Sequence, residues 1–307
     1  MRASIQTRPT DPSAISRRTL LGKTAAAAAG AVVLSSAPLQ LWAKEKKPAA
    51  RKGRIKQSIV QWCYQKYFNI DQMCRLAKRL GCLSVELVDP KDWTTLKKHG
   101  LVCAIAGSHW FDKGMNNPRY HEMCIAKMRK AIDACAAAKF PNVITFTGFR
   151  EDISDDAGIK NCVTGYKKVI GYAEKKKVNL CLEMLNSRVK EEMEGHPGYQ
   201  GDHTDYCMEI IKKVGSPQMK LLFDIYHVQI MDGDIIKRIR QYADHIGHVH
   251  TAGNPGRCEL DDKQEIYYPP IMKALAEVHY KGYVGQEFIP TRDPAKGLAE
   301  AVALCDV

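Results

Sequence analysis

Between Met219 and Arg257 the chain sets ligand-type side chains at intervals that a repeating β-α unit would bring together. An apolar run, Lys220 to Phe223, ends in Asp224, and His227 follows three residues later. A helical segment is expected from Asp232 to Ala243. A second apolar run, Ile246 to Val249, then ends in His250. The flanking runs repeat the pattern: NLCLEML carries Glu183, with the amide of Asn186 just beyond, and YVGQEFIP carries Glu287. In a βαβ repeat these strand ends share one rim of a parallel sheet. Singly, each residue could be a solvated carboxylate or a hydrogen-bonded structural histidine. Together, three acids on one rim would repel one another without a cation. The metal set read from the sequence is therefore Glu183, Asp224, His250 and Glu287. It suits one divalent ion, Mn²⁺ or Mg²⁺ by its oxygen-rich donors, with Co²⁺ or Zn²⁺ left open by the imidazole.

Such a cation, holding a carbonyl and the neighbouring hydroxyl of a sugar-like substrate, acidifies the C–H between them. A carboxylate on each side can then take a proton and return it. Glu183 and Glu287, from well-separated strands, are the catalytic candidates, and an enediolate is the expected intermediate. His227 could hydrogen-bond a substrate oxygen or serve as a structural histidine. Arg257, after the Gly253-Asn254-Pro255-Gly256 turn, could bind a substrate carboxylate or hydroxyl or lie on the surface. His109, in the loop from Ser108 to Asn117, is the early histidine offered to the same site as a substrate contact.

These side chains need a scaffold that gathers strand ends. From residue 57 strand-like and helix-like segments alternate. The strands are KQSIVQWCY, CLSVELV, LVCAIAG, NVITFTG, NLCLEML and the three around the candidate ligands. Helices are expected over Ile70–Leu80, Lys91–His99, Pro118–Lys139 and Asp156–Lys177. Others should follow Asp202 or Thr204 as N-cap, span Pro269–His279 and cover Pro294–Leu304. Eight strands, each followed by a helix, in about 250 residues argue a single-domain (β/α)8 TIM barrel of the α/β class over residues 57–307. The absence of a Gly-rich loop after the first strand weakens a doubly wound dinucleotide fold.

The formal charge of +12 lies outside that scaffold. Residues 1–43 hold five Lys/Arg and one Asp, residues 44–56 seven Lys/Arg and one Glu, and residues 57–307 only a net +2. Composition thus gives no case for a nucleic-acid groove. A small-molecule partner is expected, and a homo-oligomer is left open. Arg17-Arg18 ahead of an alanine-rich run reads as a twin-arginine signal peptide over residues 1–43. That would send the protein to the periplasm or outside the cell. Residues 44–56 read as a basic, solvated linker. Eleven cysteines with no CxxC pair favour buried free thiols over a disulfide framework.

The segments LCLEMLNSR, MKLLFDIYHVQIMDGD, IGHVHTAGNPGR, EIYYPPIM and GYVGQEFIPTRDP resemble hydroxypyruvate isomerases of the xylose isomerase-like barrel superfamily. The match with specific motifs runs roughly from Asn179 to Pro294. The resemblance implies a (β/α)8 barrel holding a divalent metal at Glu183, Asp224, His250 and Glu287. It implies that Glu183 and Glu287 exchange the proton and that His227 and Arg257 touch substrate. The chain departs at His250, where hydroxypyruvate isomerases often carry Gln and ketose 3-epimerases carry His. Two other functions stand beside the isomerase. One is a ketose 3-epimerase-like enzyme. The other is a non-catalytic sugar-binding barrel, whose ligand affinity would not depend on metal. The superfamily's endonuclease branch would need more histidine ligands and a basic face.

Overall fold

The computed structural model describes residues 52–307. Among them, seven strands are β1 (Lys56–Val60), β2 (Ser84–Glu86), β3 (Asn142–Thr145), β4 (Asn179–Glu183), β5 (Met219–Asp224), β6 (Ile246–Thr251) and β7 (Tyr283–Gln286). All paired strands run parallel, in the order β2-β1-β7-β6-β5-β4-β3. Their residues are buried almost throughout, as a parallel sheet covered on both faces requires.

The expected strand LVCAIAG is not a regular strand. It touches both open edges of the sheet through single bridges, Val102 to Ser84 and Ala106 to Val143. Ala106 N–H donates to Asn142 O and Ile144 N–H to Ala106 O, each at 2.9 Å. This segment joins β2 to β3 and closes the ring. Its ladder breaks at Ala104 because side chains of its neighbours take that residue's main-chain groups. Ala104 N–H donates to Ser84 Oγ, and Asn142 Nδ2 donates to Ala104 O, both at 2.9 Å.

The helices are α1 (Gln61–Tyr64), α2 (Ile70–Leu80), α3 (Trp93–Lys98), α4 (His121–Ala138), α5 (Asp155–Lys167), α6 (Ile170–Lys176), α7 (Thr204–Val214), α8 (Ile225–Met231), α9 (Ile235–Tyr242), α10 (Tyr268–Glu277) and α11 (Pro294–Leu304). In α2 the sequence signals act together. Asn69 and Gln72 form a capping box, and Met73, Cys74, Leu76 and Ala77 face the core. Gly81 ends the helix in the left-handed region at φ 60°. The cap contributes about 1 kcal/mol and burial of Leu76 about 2 kcal/mol.

Two helix expectations are corrected, and one helix not expected is added. The segment from Asp156 to Lys177 is two helices, divided at Lys168 and Val169. The helix expected from Asp232 to Ala243 is present as α9 (Ile235–Tyr242). An additional short helix, α8, precedes it from Ile225, where Asp224 Oδ1 accepts the Tyr226 N–H at 2.8 Å and caps the turn. That helix stops before Gly233 and Asp234, both at positive φ, and α9 follows. Neither Asp202 nor Thr204 caps α7. Its N-cap residue is His203, and the Thr204 N–H donates to Asp232 Oδ2 at 2.8 Å.

At the start of the described chain, Lys52 and Gly53 donate main-chain N–H groups to the Asp306 carboxylate at 2.9 and 3.0 Å. Lys56 already belongs to β1, so the last residues of the expected linker are part of the barrel's wall. Cys63, Cys74, Cys103, Cys124, Cys135, Cys162, Cys181, Cys207 and Cys305 are free and buried, and Cys258 is free and half-buried.

Candidate metal and substrate site

Strand register assembles the site. Asp224 and His250 are direct partners across β5 and β6, and His250 pairs with Gly285 of β7. Glu183 closes β4 beside Leu222 of β5. Glu287 lies one residue past β7, where its N–H donates to Thr251 O at 2.9 Å. One ligand atom from each of Glu183, Asp224, His250 and Glu287 lies within 4.8 Å of the others, and all four residues are buried. The structure thus gathers the whole expected ligand set at the C-terminal ends of the strands.

The electrostatics are those of a crowded acidic pocket. Burial, reinforced by Glu287, pushes the Asp224 carboxyl up to about 7. Burial likewise raises Glu183, with Glu287 adding to the rise and a hydrogen bond to His250 opposing it. For Glu287 burial again works against ionisation. The His250 imidazole and the Arg257 guanidinium outweigh it and hold that carboxyl well below the usual range. Burial also works against a charged His250, but Glu287 and hydrogen bonds to the surrounding carboxylates raise its pKa well above the usual value. His250 Nδ1 stands 3.3 Å from Glu183 Oε1 and 3.0 Å from Glu287 Oε2. Three buried carboxylates and an imidazole at these distances fit a divalent cation, which would take the place of the Nδ1 proton.

Around this centre lie the substrate-side candidates. His227 is fully buried, with Nε2 3.6 Å from Asp224 Oδ2 and without a hydrogen-bond partner among the described residues. Arg257 is buried rather than on the surface. Its Nη2 donates to Glu287 Oε2 and its Nη1 to Met193 O, each at 2.9 Å. Its guanidinium lies 5.2 Å from the Trp62 ring and 5.8 Å from that of Tyr226. The loop after β4 is tied down over this corner, as Tyr226 Oη and Asn186 Nδ2 both donate to Glu194 O.

His109 is placed differently. Its Nδ1 faces the carbonyls of Trp110 and Lys113 at 3.1 and 3.2 Å, and its Nε2 faces Thr145 Oγ1 at 2.8 Å. Both ring nitrogens are engaged within its own corner of the barrel, and the residue is not in the ligand cluster.

Three contributors were not singled out from the sequence. Trp62, at the start of α1, donates Nε1–H to Glu287 Oε1 at 3.1 Å. Glu86 ends β2, and its Oε1 lies 2.9 Å from both His248 Nε2 and His250 Nε2. Two signals could have found this trio. Glu86 is a strand-end carboxylate like Glu183. In the triplet His248-Val249-His250, strand alternation points both imidazoles to one side. The two histidines oppose burial on behalf of Glu86 and bring its carboxyl down to about 2.

Fold and site together define an α/β barrel with a buried carboxylate–histidine cluster at its C-terminal rim. The chain belongs to the xylose isomerase-like TIM barrel family, whose model matches residues 74–306. It is 36% identical over 102 residues to the hydroxypyruvate isomerase of Escherichia coli K12, covering 33% of this chain and 39% of that protein. It is 31% identical over 150 residues to the 2-oxo-tetronate isomerase of Cupriavidus necator, covering 48% of this chain and 55% of that one. The matched stretch thus spans about half the length of these curated relatives. Among solved structures, the fold is similar to that of an AP endonuclease, family 2, from Brucella melitensis. There the TM-score is 0.70 at 23% identity, over 80% of this chain and 98% of that one. It is also similar to a D-psicose 3-epimerase, with a TM-score of 0.62 at 17% identity over 81% and 90%.

Proposed function

We propose that this protein is a divalent-metal-dependent isomerase of the hydroxypyruvate isomerase type. It would interconvert a small hydroxy-carbonyl compound or sugar by proton transfer through an enediolate. The observation that carries the reading is the meeting of Glu183, Asp224, His250 and Glu287, all buried, with ligand atoms within 4.8 Å. Relatives named as hydroxypyruvate and 2-oxo-tetronate isomerases support the same reaction class. A bound divalent cation would polarise a substrate carbonyl and the neighbouring hydroxyl. Glu183 and Glu287 would remove and return the proton. His227 would offer Nε2–H to a substrate oxygen. Arg257 would fix the Glu287 carboxylate through Nη2, and the loop after β4 would exclude water from this corner.

One observation favours a second reading, epimerisation of a neutral ketose. Both terminal nitrogens of Arg257 are already engaged, one by Glu287 and one by Met193 O. The charge of Arg257 is thus already paired with a carboxylate of the protein, so a substrate carboxylate would find it compensated, whereas a neutral hydroxyl needs no such cation.

The test is a Mn²⁺-replete assay of small ketoses, aldoses and hydroxy-keto acids in D₂O, following both product and substrate deuteration. Glu183→Gln and Glu287→Gln keep the shape and an oxygen ligand but cannot hold the proton. Each should lose turnover by about 10²–10⁴-fold while retaining metal. The losses should not add in the double variant, because either alone breaks the relay. Near-normal turnover in either metal-loaded single variant would sink the two-glutamate mechanism and favour a sugar-binding barrel.

A further inference from the structure

Behind the ligand cluster, on the side of His250 away from Glu183 and Glu287, lies a second group of fully buried ionisable residues: Glu86 at the end of β2 and His248 in β6. Both imidazoles point Nε2 at one oxygen, Glu86 Oε1, at 2.9 Å each. An ionised carboxylate is an acceptor only, so each facing ring nitrogen carries a hydrogen and donates it. With Nε2 of His250 committed in this way, the lone pair of its neutral ring can sit only at Nδ1. That atom faces Glu183 Oε1 and Glu287 Oε2.

We propose that Glu86, held in place by His248, is a positioning residue that fixes the tautomer and orientation of His250 toward the cation site. The proposal rests on the reading that a divalent cation occupies the four-residue cluster.

Two further observations point the same way. The rings of His248 and His250 meet edge to face at 4.9 Å with an interplanar angle of 87°, so His248 braces the carboxylate and the neighbouring ring together. The facing strand also leaves room for the contact. A Cβ on Gly285 would lie 2.2 Å from Glu86 Oε1 and 2.9 Å from His250 Cδ2. Any side chain at position 285 would therefore force the carboxylate off the ring. The trio is itself spaced so that a cation could sit within it. A neutral imidazole has one lone pair, however, and a His250 that ligates through Nδ1 has none left at Nε2. The two uses of His250 exclude each other, and the proposal takes the first.

The test titrates Mn²⁺ into metal-stripped wild-type, Glu86→Gln, His250→Gln and the double variant, with folding checked by near-ultraviolet circular dichroism. Wild-type protein should bind one equivalent. Glu86→Gln should bind one equivalent about 10–100-fold more weakly, the usual effect of losing a carboxylate behind a ligating histidine. An amide ligand has no tautomer to fix, so in the His250→Gln background the same change should cost about threefold or less. A merely structural Glu86 would lose affinity equally in both backgrounds, and that result overturns the proposal, as does unchanged affinity in Glu86→Gln.

A second wild-type equivalent that disappears in Glu86→Gln would make the trio a ligand set and overturn it too. Wild-type protein that binds no Mn²⁺ removes the cation site itself, and the positioning role with it. Should Glu86→Gln fail to fold, nitrogen-15 spectra of the histidine rings in Zn²⁺-loaded wild-type protein decide the matter. Hydrogen on Nε2 of His250 supports the proposal, and hydrogen on Nδ1 overturns it.

Discussion

The main-chain N–H of Asn186 donates to Nδ1 of His227 at 3.1 Å. A ring nitrogen that accepts a main-chain N–H carries no hydrogen, so the proton of neutral His227 sits on Nε2. Burial holds the imidazole neutral, with a pKa well below the usual value, and the Arg257 charge adds to this. The Nε2–H is buried inside the site without a partner among the described residues, which makes it a donor waiting for an acceptor. His227→Leu should lower kcat/KM by about 10–100-fold, the worth of a hydrogen bond to an oxygen gaining charge. The bound metal should remain at one equivalent by elemental analysis. Loss of the metal along with activity would show that His227 ligates it.

Asp224 tests the balance between function and stability. Its carboxyl is buried among Glu183, Glu287 and His250, with burial and Glu287 both raising its pKa. Asn at this position keeps an oxygen for the Tyr226 N–H, now 2.8 Å from Asp224 Oδ1, and removes one negative charge. In chelator, Asp224→Asn should melt higher than wild type, by about 2–4 °C for each kcal/mol of relieved repulsion. Added Mn²⁺ should raise the wild-type Tm and leave that of the variant unmoved. A lower Tm in chelator would show that the ionised carboxylate stabilises the fold without metal.

What the sequence made legible follows from how far each signal reaches. Glu183, Asp224, His250 and Glu287 each end an apolar run, and parallel strands carry those ends to one rim whatever the intervening distances. The Glu86–His248 contact spans 162 residues and depends on which strand closes on which, which no local pattern carries. LVCAIAG has the composition of a strand, but Ser84 and Asn142 capture the main chain of Ala104 and break its ladder. Asp224 was legible as a candidate ligand, and that reading hid its role as the cap of α8. His109 was legible as a histidine beside a strand end. Only the fold shows its two nitrogens satisfied by Thr145 and the carbonyls of its own loop.

Residues 1–51 lie outside those the structure describes, and the proposal of twin-arginine export rests on Arg17-Arg18 and the alanine-rich run after them. Replacing both arginines with lysine keeps the charge and removes the paired guanidinium groups such signals present. The doubly substituted protein should accumulate in the cytoplasm, followed by immunoblotting of cell fractions. Normal export of that variant would discard the twin-arginine reading without touching the barrel.

His109 gives a pH dependence that is separate from the candidate metal site. Burial foremost, helped by the Lys127 charge, lowers its pKa to about 4, against the pull of the Trp110 and Lys113 carbonyls and of Asp112. The unfolded chain titrates this ring near its ordinary value of about 6.5. Above that pH both states are neutral and the contribution to stability is complete. As pH falls from about 6.5 toward 4 the unfolded state takes up a proton that the folded state refuses, so stability is lost, by about 3 kcal/mol in full. Below about 4 both states are protonated and the loss ends. His109→Gln keeps an amide for the same carbonyls and removes the titration. Between pH 7.5 and 5 the wild-type unfolding free energy in urea should fall by about 2 kcal/mol more than that of the variant, since all other groups titrate in both. Parallel pH profiles for the two proteins would mean that the folded barrel accepts a proton at His109 as readily as the unfolded chain does.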